Sequence, residues 1–238
     1  MTSKINGITL YGVNYRDNDK MLTIFTLEKG KIGAACRGVR KANAKMKQIA
    51  EPFCFAEAVI VEKSGRNTIS EINSYDSFYP IRTDIKKYYA GACALEFTNA
   101  FLPEGLVSES HFVLLVEFLK KLAYNSINPV NLLLKFLFDA MNENGYSLNL
   151  TACGRCGKKI EGRVFLSVSE GASVCEECRK EGEGEYSIKT YEYLQKIAEG
   201  DMSEEDEESG RNGLKFFNYY ISRVSGVMLK SLSELLNL

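Results

Sequence analysis

The sequence predicts an α+β protein in which a small β-barrel is followed by a helical bundle with a cysteine-rich insertion. The first 80 of the 238 residues contain short runs rich in β-branched and aromatic residues, separated by turn sequences. After Pro80 the apolar residues recur at helical spacing, and four cysteines later form two CxxC pairs. We therefore expect a first domain over residues 1–80 and a helical domain over 81–238, with the insertion at about 150–182.

Five segments of the first domain have the length and composition of strands. They are INGITLYGVNY, KMLTIFTLEKG, KIGAACRG, PFCFAEAVIVEK and NTISEINSYDSFYPI, and breaks such as NDK and KSGRN separate them. Five short strands in about 80 residues predict a closed barrel. The OB-fold is the five-stranded barrel that binds oligonucleotides on its face, so it is the leading prediction for residues 1–80.

The second domain begins with three segments of helical periodicity, at 82–101, 109–124 and 129–144. Two more helical segments, IKTYEYLQKIAEG and LKFFNYYISRVSGVMLKSLSELLNL, follow the cysteines, and an acidic stretch at 203–209 is expected to be a solvated loop or the start of a helix. The single histidine, His111, lies in an apolar helical run and is interpreted as an ordinary helix residue.

The cysteine-rich insertion has the spacing of a two-knuckle metal site. Cys153 and Cys156 form one CxxC pair, Cys175 and Cys178 form the other, and 18 residues separate the pairs. Four thiolates complete a tetrahedron around one Zn²⁺ and leave no open position for water or substrate, so the predicted ion is structural. The ion supplies folding free energy to a segment too small for its own core.

Other roles for the cysteines are weaker interpretations. A redox CxxC motif needs a thioredoxin-like strand and helix, which the sequence does not show. The spacing of the cysteines is also compatible with iron in place of zinc. Cys36, Cys54 and Cys93 stand singly in apolar surroundings, as reduced buried thiols do. We therefore expect no disulfide framework, and the lack of a secretory signal or an apolar membrane span predicts a cytoplasmic protein.

Charge is distributed unevenly although the formal net charge is only −1. Residues 1–80 carry twelve basic and eight acidic residues, a net charge of +4, which leaves −5 for the remainder. The stretch KIGAACRGVRKANAKMKQIA, which follows the third predicted strand, has six basic residues and no acid. We expect the side chains of this stretch to follow a phosphate backbone while aromatic residues of neighbouring strands stack on bases. The predicted DNA-binding residues are Arg37, Arg40, Lys41, Lys45, Lys47, Arg66 and Tyr15, with Tyr11 and Phe25 as further stacking candidates.

The order of these motifs resembles a known family. GITLYGVNYRDNDKMLTIFTLEKGK followed by RGVRKANAKMKQIAEPF is similar to the start of the bacterial RecO recombination mediators, and the later order of helices and CxxC pairs is similar too. In place of the Pro-Lys-Ser often found in the family, this chain has Ala42, Asn43 and Ala44, which removes one charge. The matching residues are Gly7, Leu10, Tyr15, Asp17, Asp19, Phe25, Thr26, Gly30, Gly38, Arg40, Lys41, Pro52 and Phe53.

The resemblance implies a non-enzymatic DNA repair factor of the RecF pathway. Such proteins bind single- and double-stranded DNA, anneal complementary strands, associate with RecR and help to load RecA onto strands coated by single-strand-binding protein. They also engage the acidic C-terminal tail of that protein, and Lys120 and Lys121, at the rim of a hydrophobic groove on the helical bundle, are the candidates for this contact. The implied location is the bacterial cytoplasm, at the nucleoid.

Two other functions remain open from the sequence. In the first, barrel and bundle form a protein-interaction module that binds partner peptides without touching DNA. In the second, the protein is an enzyme, but its helical carboxylates are more simply polar-face residues and no plausible base pairs with them. The chain also lacks the GxxxxGK[ST] motif of ATP-dependent loaders.

Overall fold

The computed structural model describes residues 1–238 and confirms the five-stranded barrel. Its strands run in the order β1-β2-β3-β5-β4 around a closed, OB-like barrel, and every pair is antiparallel except β3 with β5. The strands are β1 (Thr2–Tyr15), β2 (Asp19–Thr26), β3 (Gly30–Cys36), β4 (Phe55–Lys63) and β5 (Arg66–Asp76).

Every second side chain along these strands points inward, and these inward side chains fill the barrel. Ile5, Leu22, Ile24, Ile60 and Ile69 belong to one buried cluster, each with at most 2% of its surface exposed. The long strand β1 pairs with β4 through Ile8 and with β2 from Gly7 onward. The second half of β1 therefore lies beyond the last β4 pair, next to the loop that follows β3.

The helices follow the predicted segments, except that the last one begins earlier, at Glu207 inside the acidic stretch, and is interrupted at residues 226–229, where Gly226 adopts a left-handed conformation. They are α1 (Ile85–Phe101), α2 (Glu109–Tyr124), α3 (Pro129–Glu143), α4 (Ile188–Glu199), α5 (Glu207–Ser225) and α6 (Lys230–Leu236). The first begins later than the apolar pattern suggests because Pro80 lies in a short 3₁₀ turn, after which Asp84 caps α1 by accepting from the Lys87 amide. None of the helices combines the length and the apolar character needed to cross a membrane.

The chain consists of two compact units, Met1–Tyr124 and Asn125–Leu238. The first unit contains the barrel together with α1 and α2, and Phe25 of β2 packs against Phe112 and His111 of α2. The second contains the remaining helices and a small sheet of β6 (Val164–Ser167), β7 (Ala172–Cys175) and β8 (Gly184–Tyr186), in the order β7-β6-β8. The domain boundary at residue 80 stays a prediction from the sequence pattern.

Candidate nucleic-acid interface and metal centre

The first six residues of the basic stretch belong to β3, and the remainder, residues 37–50, forms an ordered loop between β3 and β4, the basic loop. At its start, the Gly38 amide donates to Asp19 Oδ1 (2.8 Å) and the Arg40 amide donates to the Asn18 carbonyl (3.0 Å). At its end, the hydroxyl of Thr9 donates to the Ile49 carbonyl (2.7 Å). These bonds hold the loop along the barrel, next to the turn that joins β1 and β2.

The predicted cationic residues all present their side chains to solvent. Arg40 donates from Nη1 to the Asp17 carbonyl (3.0 Å), which places its guanidinium at the β1–β2 turn. Arg66 is the first residue of β5 and lies beside β3, because the neighbouring Asn67 donates to the Gly33 carbonyl (3.1 Å). The exposed cations of the barrel and its loop that form no ion pair with a carboxylate include Arg37, Arg40, Lys41, Lys45, Lys47 and Arg66, and also Arg16 and Lys63 outside the predicted set.

Sequence reasoning missed Lys20, which the fold brings to the same place. A cavity of about 540 Å³ is lined by Lys20, Arg40 and Lys47 together with four residues of the loop. Lys20 donates to the Ala50 carbonyl (3.2 Å) and to Glu51 (3.3 Å), so part of its charge is compensated. Lys20 precedes the basic stretch by more than ten residues in the sequence. The pairing of β2 with β3 brings it next to this stretch, so the sequence alone did not indicate the contact.

The aromatic stacking candidates divide into exposed and buried side chains. Tyr11 and Tyr15 are each 44% exposed on the outer face of β1, and the Arg16 guanidinium lies 5.1 Å from the centroid of the Tyr15 ring. Phe25 is fully buried, with its ring against Phe112 of α2. Phe25 therefore cannot stack on a base, because helix α2 covers the outer face of the barrel at this end.

The four cysteines of the insertion converge in the second unit. Their sulfur atoms all lie within 4.8 Å of one another, and the Cys156 and Cys175 sulfurs are 3.9 Å apart. The first pair lies in a tight turn closed by the Gly157 amide donating to the Cys153 carbonyl (2.9 Å). The antiparallel strands β6 and β7 then return the chain, so that Cys175 ends β7.

This arrangement fits a tetrahedral metal ion. Zinc–sulfur bonds of about 2.3 Å at tetrahedral angles place neighbouring sulfurs about 3.8 Å apart, close to the observed 3.9 Å. Gly154 permits the approach of the two knuckles, since a Cβ there would lie 2.5 Å from the Ala172 Cβ. The cysteine cluster can therefore hold a metal ion.

Electrostatics around the cysteines favour a thiolate at Cys153 and oppose one at Cys178. Burial opposes ionisation of the Cys153 thiol, but backbone amides of Cys175, Cys156 and Arg155 direct hydrogen bonds at it and lower its pKa to about 6. Contacts with the Cys175 and Cys156 sulfurs instead raise the pKa of Cys178 to about 12. Because the sulfurs compete for negative charge, a cation at their centre would stabilise all four thiolates.

Arg155, between the two cysteines of the first pair, ties both knuckles together. Its guanidinium donates to the carbonyl of Cys178 (2.5 Å), to Glu170 (2.9 Å) and to Glu183 (2.9 Å). The side chains of Arg155 and Glu183 are only 15% and 11% exposed, so their ion pair is shielded from solvent, whereas Glu170 is 35% exposed. In turn, the guanidinium lowers the pKa of Glu183 to about 2.

Comparison with known proteins agrees with this geometry. The family model described as "Recombination protein O N terminal" matches residues 1–78, and the one described as "Recombination protein O C terminal" matches residues 82–233. The chain belongs to the RecO family. The matches cover the barrel, the helices and the cysteine module in the order that the sequence resemblance implies.

Several curated RecO relatives are similar over most of their length. The protein named DNA repair protein RecO of Alkaliphilus metalliredigens is 28% identical over 208 residues, 87% of this chain and 84% of the relative. Those of Syntrophomonas wolfei (28% identical, 79% of this chain, 74% of the relative) and Symbiobacterium thermophilum (27%, 83% and 80%) carry the same name.

The candidate partner contact lies on α2, in the first unit. Lys120 and Lys121 are both exposed, and Lys120 Nζ lies 3.8 Å from Glu117. The apolar face of this helix, with Leu115, Leu119 and Leu122, is buried. The two lysines thus stand on the solvent side of α2, and their assignment to a partner stays a prediction.

Proposed function

We propose that this RecO-family chain is a recombination mediator that binds single- and double-stranded DNA through the basic loop of its barrel. The observation that carries the proposal is the row of exposed, unpaired cations from Arg37 to Lys47, held against the barrel next to Tyr15. Cations in such a row neutralise successive phosphates and release counterions, which gives affinity without sequence preference. Arg66 extends the charge beside β3.

Strand annealing follows from the same chemistry. Two complementary strands repel each other through their phosphates, so a surface that neutralises both backbones favours pairing without any covalent step. The proposed activity therefore requires no nucleophile, general base or nucleotide hydrolysis. We accordingly propose a non-enzymatic role, performed in the bacterial cytoplasm at the nucleoid.

The metal proposed for Cys153, Cys156, Cys175 and Cys178 is one structural Zn²⁺. The support is the four-sulfur set, which uses every position of a tetrahedral ion and leaves none for a substrate. When bound, the ion supplies cross-linking of the two knuckles and no catalytic chemistry. Metal analysis by inductively coupled plasma mass spectrometry would distinguish zinc from iron.

The proposed partners are RecR, RecA indirectly, and the acidic C-terminal tail of single-strand-binding protein. For the tail, Lys120 and Lys121 offer positive charge on the exposed side of α2. Replacing both by Glu should weaken binding of a tail peptide while the melting temperature stays unchanged. Unaltered peptide affinity would reject these two lysines as the contact.

The first experiment tests DNA binding by fluorescence anisotropy of a labelled single-stranded oligonucleotide across a salt series. The variant carries Arg37→Glu, Arg40→Glu and Lys41→Glu. Each phosphate contact that is lost should make the slope of log affinity against log salt shallower by about 0.7. We expect a shift of about 2 in the slope, together with weaker binding at every salt concentration.

A matched control separates the loop from general charge effects. Arg211→Glu, Lys215→Glu and Lys159→Glu change the net charge by the same amount at exposed positions of the second unit. This control should bind DNA with nearly the parental slope. Equal losses in both variants would remove the DNA site from the basic loop, and no binding by the parent at low salt would favour a pure protein-interaction module.

A further inference from the structure

The outer face of β1 carries a row of exposed side chains that the basic loop does not explain. Tyr11, Val13 and Tyr15 are 44%, 53% and 44% exposed. They stand at every second position of one strand, so their side chains point to the same face. Such a row of large exposed side chains on one strand marks an interaction surface.

A β-bulge creates this row. Thr9 pairs with Ile24 and Tyr11 pairs with Thr23, so Leu10 has no partner on β2 and the register shifts there. Because one extra residue reverses the alternation of side chains, Tyr11 turns outward where an unbroken strand would have pointed it into the barrel. The bulge thus aims both tyrosines at solvent.

The surroundings of Tyr11 and Val13 form an open, uncharged shelf, whereas Tyr15 is paired with Asp19, whose carboxylate accepts from the Gly38 amide. Val13 is paired with Met21 and Tyr11 with Thr23, and Thr23 is in turn paired with Gly33 of β3. A Cβ on Gly33 would meet no atom within 4 Å, so nothing covers the sheet at that point. The shelf therefore offers flat access to a planar ligand.

Positive charge borders the shelf at the Tyr15 end. The Arg16 guanidinium lies over the Tyr15 ring, and the Arg40 guanidinium bonds to the β1–β2 turn that follows this tyrosine. Arg37 extends from the end of β3, one position beyond the pair of Cys36 with Lys20. An anionic polymer bound along the basic loop would therefore lie next to the exposed tyrosines of β1.

We propose that Tyr11, Val13 and Tyr15 form a stacking rail for unpaired bases, which selects single-stranded over double-stranded DNA. The inference rests on the proposed function and adds the residues that distinguish the two DNA forms. A duplex covers both faces of each base with neighbouring base pairs, so only an unpaired base can stack on a tyrosine ring. Phosphate contacts, by contrast, are available to both forms.

The spacing of the rail sets its footprint. Tyr11 and Tyr15 are four residue steps apart on the strand, which corresponds to about 13 Å. A single strand with bases at the B-form spacing of about 3.4 Å would cover this distance with about four nucleotides. The two tyrosines therefore hold non-adjacent bases, with Val13 under the nucleotides between them.

The test compares three probes of equal length: a thymidine oligonucleotide, the same backbone with abasic sites, and a duplex. Loss of one stacked base should lower affinity for the thymidine strand about fivefold or more for each tyrosine. The double variant Tyr11→Ala/Tyr15→Ala should bind the abasic strand and the duplex as the parent does, within about twofold. Its salt slope should also be parental, because no charge is removed.

Two controls support the interpretation. Tyr11→Phe/Tyr15→Phe keeps both ring faces and should restore thymidine-strand affinity. Tyr79→Ala removes a tyrosine that is 66% exposed outside the barrel strands and should bind all three probes normally. Circular dichroism of each variant should match that of the parent.

Distinct outcomes would overturn the inference and the proposed function separately. Unchanged thymidine-strand binding in the double variant, or equal losses for all three probes, would reject the rail while DNA binding by the loop stands. A changed sedimentation coefficient of the DNA-free double variant would assign the face to self-association instead. If the parent binds no probe at low salt, both the rail and the proposed function are wrong.

Discussion

The buried histidine of α2 makes the stability of this protein depend on pH in a calculable way. His111 is 1% exposed, and its ring lies against the rings of Phe25 and Phe97. The hydroxyl of Thr98 donates to the Ala94 carbonyl (2.9 Å), so Nε2 of His111 must donate to Thr98 Oγ1 (3.0 Å). Burial lowers the pKa of His111 from 6.5 to about 4.

The sign of the effect follows from proton binding. Between pH 6.5 and pH 4 the unfolded chain holds a proton on His111 that the folded chain does not, so acid favours unfolding. The free energy of unfolding is therefore unaffected by this residue above pH 6.5 and falls with pH through the window. The loss is roughly 2 kcal/mol at pH 5 and reaches roughly 3 kcal/mol below pH 4.

Two measurements check this value. Because the chain has a single histidine, its ring proton resonances can be followed by NMR without assignment, and the midpoint should lie near pH 4. In urea unfolding, His111→Gln should lose about 2 kcal/mol less stability than the parent between pH 7 and pH 5. The comparison between proteins cancels the titration of the cysteines, which both share.

The reasoning would be refuted by a folded-state midpoint at or above pH 6. It would also fail if the parent and His111→Gln lost the same stability between pH 7 and pH 5. Thr98→Val provides the matched control, since it removes the hydroxyl partner but keeps the buried imidazole, and its acid sensitivity should persist.

Three further perturbations concern the second unit. Arg155→Ala should weaken metal binding about 10- to 100-fold in chelator competition, because the guanidinium joins the knuckles; parental affinity would contradict this role. Gly154→Ala should destabilise the module by about 1–3 kcal/mol in thermal unfolding, since its Cβ would collide with Ala172; an unchanged melting temperature would count against the clash. Asn131→Ala removes donors to the Met202 and Glu204 carbonyls and should speed proteolysis within residues 200–206, whereas unaltered cleavage would show that other contacts hold this segment.

Local chemistry explains which features the sequence predicts well. Alternating strands and periodic helices depend on neighbouring residues, and helices α2 and α3 begin where the patterns place them. The cysteine cluster could also be predicted from the sequence, because ligand type and spacing are enough to indicate a shared ion. The four ligands are Cys153, Cys156, Cys175 and Cys178.

Features that depend on distant pairings were not predicted. The bulge at Leu10 decides which face Tyr11 occupies, yet no Gly or Pro marks it in the sequence. Lys20 lies next to the basic loop because the barrel brings β2 beside it. Phe25 is buried because α2 packs over it. The orientation of a strand residue is thus the weakest part of a prediction made from alternation.

The two proposed components of DNA binding should respond differently to salt. If Arg37, Arg40, Lys41, Lys45 and Lys47 each contact one phosphate, log affinity should fall with log salt by about 3.5 for a single strand and about 4.5 for a duplex. Stacking on the tyrosines involves no counterion release and persists at high salt. Preference for single strands should therefore rise about tenfold for each tenfold increase in salt, measured by anisotropy on strands of equal length. This rise comes from the phosphate contacts alone, so Tyr11→Ala/Tyr15→Ala should lower the preference by the same factor at every salt concentration, and a factor that disappears at high salt would reject the tyrosines as a separate, salt-independent component.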